Sequence, residues 1–248
     1  MIIDCISDLH GHYPKLKGGD LLIVAGDLTA TSTSYEYDVF VEWVLEQNYK
    51  TRIVIGGNHD TNLCKPGCLL GLCDYPPELE YLCDSGTEFE YLEPAPIKGA
   101  MMATHRKLKI WGSPWTLRFE GMNPHCMAFT VDTEEELAEK WKLIPDDIDI
   151  LVTHSPPMKI FDWNKYGDNC GSLSLLTKAT SLPNLKLFIF GHIHEAYGIY
   201  EPNEIRKFAE NNRKISGPPK CKSMPYLVNA SHVNERYEPV NKPIRIEL

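Results

Sequence analysis

Five short apolar runs in this chain each end on a cluster of polar residues, and that arrangement restricts the fold more than any other feature. The runs at 2–7, 20–25, 52–56, 148–153 and 185–190 are rich in Ile, Leu and Val, as buried strands are. At their ends lie Asp8-Leu9-His10, Gly26-Asp27, Gly57-Asn58-His59-Asp60, Thr153-His154 and Gly191-His192-Ile193-His194. Polar side chains therefore collect at the carboxyl ends of strands, the edge where open α/β sheets gather their ligands.

Further strands are expected at 108–112, 197–200, 225–229 and 243–247. A first helix is expected at 34–47, with Thr33 as N-cap and Glu36 completing a capping box. Its Val39, Phe40, Trp43 and Val44 recur at helical spacing on one face. Thr133 and Glu136 open a second helix in the same way, and a third is expected at 172–180. Strands alternating with helices give a layered α/β fold, read as one domain over residues 1–248. Residues 64–102 are rich in Pro, Gly and Cys, lack a clear period, and read as a surface excursion.

A net charge of −9 argues against long nucleic acid as a partner, which would need a basic footprint. A small phosphate compound is still allowed, because bound cations reverse the field at a site. No apolar stretch approaches the ~20 residues of a membrane span, and the opening Met1 to Ile6 is too short for a signal segment. The expectation is a soluble, cytoplasmic protein. Cys64, Cys68, Cys73 and Cys83 fall close together without a C-x2-C knuckle, so reduced thiols are expected rather than a structural zinc site.

Taken singly, Asp8-x-His10 and Gly26-Asp27 are ordinary turn residues. Asn58 offers a carbonyl oxygen to a cation, and His59 can donate a proton to a leaving oxygen. Asp60 reads equally as the group that holds His59 in its tautomer and as a helix-start residue. His154, His192 and His194 add three imidazoles. Together with Asp8, His10, Asp27 and Asn58 they form a set that packing does not explain, since buried polar groups need partners. The mixture of oxygen and nitrogen donors suits Mn, Fe or Zn rather than Mg or Ca. Two adjacent metal ions serve the hydrolysis of phosphate esters best.

The ordered motifs Asp8-x-His10, Gly26-Asp27, Gly57-Asn58-His59-Asp60, His154 and Gly191-His192-x-His194 resemble the calcineurin-like metallophosphoesterase superfamily. Gly112-Ser113-Pro114-Trp115, residues 191–198 and Val228-Asn229-Ala230-Ser231 further resemble its metallophosphoesterase-domain-containing subfamily, linked to class III cyclic-nucleotide phosphodiesterases. The resemblance implies a two-sheet β-sandwich flanked by helices. It implies one metal on Asp8, His10 and His194, a second on Asn58, His154 and His192, and Asp27 bridging them. It also implies His59 as general acid or transition-state stabiliser, and a hydroxide held between the two metals is the nucleophile expected. Leu28-Thr29-Ala30 after Gly26-Asp27 departs from the run typical of serine/threonine protein phosphatases, which lowers that reading.

The function expected is a metal-dependent phosphoesterase, foremost a phosphodiesterase acting on small nucleotides, with cyclic nucleotides as candidates. A phosphomonoesterase and a non-catalytic scaffold of the same fold are the alternatives. Oligomeric state is not legible. Among remaining residues, Trp111 and Trp115 either stack a base or pack in the core, and His12 reads as a loop residue. Residues 167–172, preceding a helix, are a candidate phosphate-receiving turn.

Overall fold

In the computed structural model, residues 1–63, 78–93, 104–119, 121–202 and 224–248 are described. The apolar runs form two sheets. In the first, β1 (Ile2–Ile6), β2 (Gly19–Ala25), β3 (Tyr49–Ile55) and β4 (Leu79–Tyr81) are parallel neighbours, and β13 (Ile244–Glu247) lies antiparallel on the outer side of β1. The second contains β5 (Ser85–Glu93), β6 (Thr104–Ser113), β9 (Ile150–Thr153), β10 (Leu187–Phe190), β11 (Gly198–Tyr200) and β12 (Tyr226–Asn229). Its order is β11-β12-β10-β9-β6-β5, parallel at the centre and antiparallel at both edges. A small ribbon pairs β7 (Thr116–Leu117) with β8 (Thr130–Val131).

Strand periodicity explains why the sheets stack. Ile3, Cys5, Leu21, Ile23, Ile53 and Ile55 of the first sheet meet Ile110, Ile150, Val152, Leu187, Ile189 and Val228 of the second in one core. The intervening Leu22, Val24 and Val54 turn outward onto α1 (Ser34–Glu46). Leu151, Phe188 and Phe190 do the same onto α2 (Glu134–Trp141) and α3 (Leu173–Ser181). Burying each such side chain stabilises by about 1.5–3 kcal/mol, and a one-residue slip would exchange the inner and outer sets. The result is the expected two-sheet sandwich flanked by helices. Among the described residues, no helix is long and apolar enough to cross a membrane.

Both capping boxes are present, Thr33 with Glu36 and Thr133 with Glu136. The reading of 64–102 as a surface excursion without a period needs correction, because β4 and all of β5 fall within it. Only Phe89 of β5 is buried, and Glu88, Glu90 and Glu93 pair with Lys107 and Arg106 of β6 at 2.7–3.0 Å. An edge strand held by cross-strand charges has no apolar run to announce it. Of the clustered cysteines, Cys64, Cys68 and Cys73 lie outside the described residues, and Cys83 is exposed.

Candidate metal centre

The turns after β1, β2 and β3 of the first sheet interlock with those after β9 and β10 of the second. Asp8 N–H donates to the Gly26 carbonyl at 2.9 Å and His10 N–H to that of Asp27 at 3.0 Å. His192 N–H donates to the Asp8 carboxylate at 3.0 Å, and His59 N–H to that of Asp27 at 2.8 Å. Four candidate ligands occupy the left-handed backbone region: Asp8 (φ 53°), His10 (φ 44°), Asp27 (φ 51°) and His192 (φ 70°). Each such residue costs on the order of 1–3 kcal/mol, and the conformation persists only where the surroundings over-determine it. Close approach also fixes two glycines. A Cβ on Gly57 would strike the Asp27 carboxylate, and one on Gly191 would strike Ser7 and Asp8.

Asp8, His10, Asp27 and His194 each present a ligand atom, and these atoms lie within 4.8 Å of one another. His10 Nε2 and His194 Nε2 face each other at 3.3 Å, and His194 Nε2 is 3.3 Å from Asp8 Oδ1. Asp27 Oδ2 is 3.6 Å from His10 Nε2 and 3.4 Å from His154 Nε2, so one carboxylate oxygen touches both candidate sets. His154 Nε2 also lies 3.1 Å from Asn58 Oδ1, and its ring centroid is 5.0 Å from that of His192.

This donor set fits metal ions. His154 Nδ1 faces the Ala25 carbonyl at 3.0 Å and His194 Nδ1 that of Asn234 at 3.2 Å, which leaves both Nε2 lone pairs converging on the cluster. Ser231 Oγ donates to Asp8 Oδ2 at 2.8 Å, so the 228–231 segment orients a candidate ligand. His10 Nδ1 is buried and has no hydrogen-bond partner among the described residues. Burial, together with His194 and His59 nearby, pulls His10 down to about 3 against the attraction of Asp27. Burial and the neighbouring His154 take His192 to about 3. Both imidazoles are thus neutral at pH 7, the form that binds metal. Burial opposes ionisation of Asp8 and Asp27. The surrounding histidines outweigh it, His194 at Asp8 and His154 at Asp27, and hold both below the usual carboxylate range. Burial likewise opposes His154, but Asp27 raises it to about 9, an excess of negative field that a bound cation would satisfy.

His59 stacks edge-on to His10, with centroids 4.5 Å apart, and its Nδ1 lies 3.4 Å from the Ala30 carbonyl and 3.4 Å from Cys126 Sγ. Asp60 requires correction on both readings. The described residues that follow it, 61–63, form a turn rather than a helix, and its carboxylate is engaged by other groups. It accepts from Gly57 N–H at 2.9 Å, Leu28 N–H at 3.1 Å, Thr29 N–H at 3.3 Å, Thr29 Oγ1 at 3.0 Å and the Tyr37 hydroxyl at 3.3 Å. Asp60 therefore ties the Asp27 loop to the Gly57 turn. Burial and the charge of Asp27 push it up to about 6.

Beside the cluster opens a cavity of ≈ 830 Å³, lined among others by Asp27, Asn58, His59, His192 and His194. Phe119 and Tyr237 also line it, and no sequence pattern pointed to them. The Tyr237 ring lies 4.8 Å from that of His10 and 6.0 Å from that of His59, while Phe119 lies 6.5 Å from His192. The tryptophans serve packing instead. Trp115 donates from Nε1 to Asp84 at 2.7 Å beneath Lys140 Nζ, 3.5 Å from its ring, and Trp111 packs into the α2/α3 layer. His12 is exposed. The turn before α3 is already filled by a carboxylate: Glu134 Oε1 accepts from Ser172 Oγ at 2.8 Å and from Ser174 N–H at 2.7 Å. A phosphate would meet that negative charge.

Carboxylates, an amide and imidazoles converging at the strand ends of a two-sheet sandwich define a metal-dependent hydrolase of phosphate esters. The calcineurin-like phosphoesterase profile matches residues 1–196, and the chain belongs to that family. It is 31% identical over 258 residues to Metallophosphoesterase domain-containing protein 1 of Homo sapiens, spanning 98% of this chain and 70% of that protein. The Mus musculus protein of the same name gives the same figures. A UPF0046 protein of Caenorhabditis elegans is 29% identical over 208 residues, 78% of this chain and 51% of the relative.

Proposed function

We propose that this phosphoesterase is a dinuclear phosphodiesterase acting on small nucleotides, cyclic nucleotides included. The charge of the cavity wall carries the reading. Glu134, Glu195 and Glu235 line it against Arg118 and Lys165, and Arg118 is already paired with Asp132 at 2.8 Å. Among the described residues the wall offers little positive charge to hold a dianionic monoester, whereas a diester brings a single charge. The net charge of −9 disfavours long nucleic acid for the same reason.

Asp8, His10 and His194 would hold one ion and Asn58, His154 and His192 the other, with Asp27 shared between them. Bound there, two ions of the Mn, Fe or Zn type supply the nucleophile and neutralise charge on the phosphoryl oxygens. Asp27 Oδ1 also accepts from the His59 backbone N–H, and His59 lines the cavity. With Nδ1 turned to the Ala30 carbonyl, His59 has Nε2 left to protonate the leaving oxygen.

The test compares bis(4-nitrophenyl) phosphate, 4-nitrophenyl phosphate and the 2′,3′- and 3′,5′-cyclic nucleotides on Mn-loaded protein. Faster turnover of the diester and hydrolysis of at least one cyclic nucleotide are expected. Asp27→Ala should abolish both activity and metal retention. Preference for the monoester would reassign the protein as a phosphomonoesterase, and inertness towards all substrates would make it a scaffold.

A further inference from the structure

Cys126 lies behind the Gly57–Asp60 turn, on the segment between β7 and β8. That segment is folded onto itself and onto the turn. Cys126 N–H donates to the Asn123 carbonyl at 2.9 Å, and Ala128 N–H donates to that of Asn58 at 3.1 Å. Two different groups of Cys126 reach the site. Its carbonyl accepts from Asn58 Nδ2 at 3.1 Å, which settles the orientation of the amide and directs Oδ1 towards His154 Nε2. Its thiol, on a residue only 7% exposed, sits 3.4 Å from His59 Nδ1.

A histidine that gives a proton from one ring nitrogen needs the other nitrogen held, because that second bond sets the tautomer and the ring's direction. A carboxylate commonly does this, and here the carboxylate next to it in the chain, Asp60, is engaged by Gly57, Leu28, Thr29 and Tyr37. Among the described residues, the atoms facing Nδ1 are the Ala30 carbonyl oxygen and Cys126 Sγ, both at 3.4 Å. The carbonyl alone would leave the ring free to swing about its long contact. Sulfur on the second side closes that freedom.

We infer that Cys126 is the positioning residue for His59, its thiol orienting the imidazole while its backbone carbonyl orients Asn58. The inference rests on His59 acting as the proton donor. Its two duties are separable by mutation, since every substitution keeps the carbonyl and removes only the thiol.

The experiment follows hydrolysis of aryl phosphodiesters with leaving groups from 4-nitrophenol to phenol by Mn-loaded wild type, His59→Gln, Cys126→Ala, Cys126→Val and Cys126→Ser. A good leaving group departs without a proton, while phenol needs one. His59→Gln should therefore lose ~10²–10⁴-fold on the phenyl ester and much less on the nitrophenyl ester. Cys126→Ala and Cys126→Val should show the same steepened dependence with roughly 10-fold extra loss on phenyl, the usual scale for an orienting partner. Metal content and KM should hold, and Cys126→Ser should recover most of the loss. In nitrogen-15-labelled, metal-free protein, the His59 ring signals should shift in Cys126→Ala and return in Cys126→Ser.

Equal losses on all leaving groups, or unmoved His59 ring signals, would overturn the role of Cys126 while a steep His59→Gln series upheld the proton donor. A flat His59→Gln series would remove the donor itself, and the inference with it. Should Cys126→Ala fail to fold, the nearly isosteric Cys126→Val decides the matter against Cys126→Ser.

Discussion

Replacing Asp60 by Asn tests whether this carboxylate is a loop tie or a partner of His59. The carboxylate takes backbone N–H groups on both oxygens: Oδ2 receives Gly57 and Leu28, and Oδ1 receives Thr29. The Thr29 and Tyr37 hydroxyls on Oδ1 can rotate to become acceptors, whereas N–H groups cannot. An Asn would therefore place its oxygen where Oδ2 stood and its amide where Oδ1 stood. That choice strands one donor, the Thr29 N–H. One buried unsatisfied donor costs about 1–3 kcal/mol. Asp60→Ala strands three backbone donors and should cost roughly 3 kcal/mol or more. Urea unfolding at pH 7.5, where a group titrating at about 6 is ionised, reads both variants as shifts of midpoint at constant slope. In the leaving-group series, Asp60→Asn should scale all esters together. Stability of Asp60→Ala within about 0.5 kcal/mol of wild type, the range of an ordinary surface change, would refute the loop-tie argument. A steepened leaving-group dependence in Asp60→Asn would restore Asp60 as the partner of His59.

Two further outcomes follow from the same contacts. Ser231→Ala removes the hydroxyl that donates to Asp8 and should weaken Mn binding roughly 10–100-fold in competition with a fluorescent chelator; an unchanged affinity would mean that the His192 N–H alone orients Asp8. At Glu36, burial opposes ionisation, but hydrogen bonds from Thr31 and Thr33 hold the carboxylate down to about 2. A depressed folded-state value gives stability that is fully present above the unfolded value near 4.5 and is lost as pH falls towards 2. The gap in unfolding midpoint between wild type and Glu36→Gln should therefore shrink across that window, and a constant gap would count against it.

The candidate ligands were legible because each follows an apolar run, and a strand's end fixes where the next side chains go. The same logic failed where no run exists. In β5 the pattern Thr-Glu-Phe-Glu-Tyr buries only Phe89, so the strand is defined by its antiparallel ladder with β6, where Phe89 lies opposite Leu108. The position of Asp60 was legible but its role was not, since Leu28 and Thr29 lie 32 and 31 residues upstream in another loop. Phe119, Cys126 and Tyr237 sit on segments whose course depends on turn geometry rather than periodicity. Tyr237 adopts a left-handed backbone (φ 61°), a conformation that a tyrosine does not advertise.

The candidate ligands are divided between the two sheets: Asp8, His10, Asp27 and Asn58 follow strands of the first, and His154, His192 and His194 follow strands of the second. An ion held by both groups would fasten that end of the sandwich, because the sheets could not part there without releasing it. At about 100 times its dissociation constant, such an ion adds roughly 2.7 kcal/mol to the native state. Supply of metal would then govern the abundance of the protein as well as its rate. A cell starved of metal would lose molecules to proteolysis, not merely hold them idle.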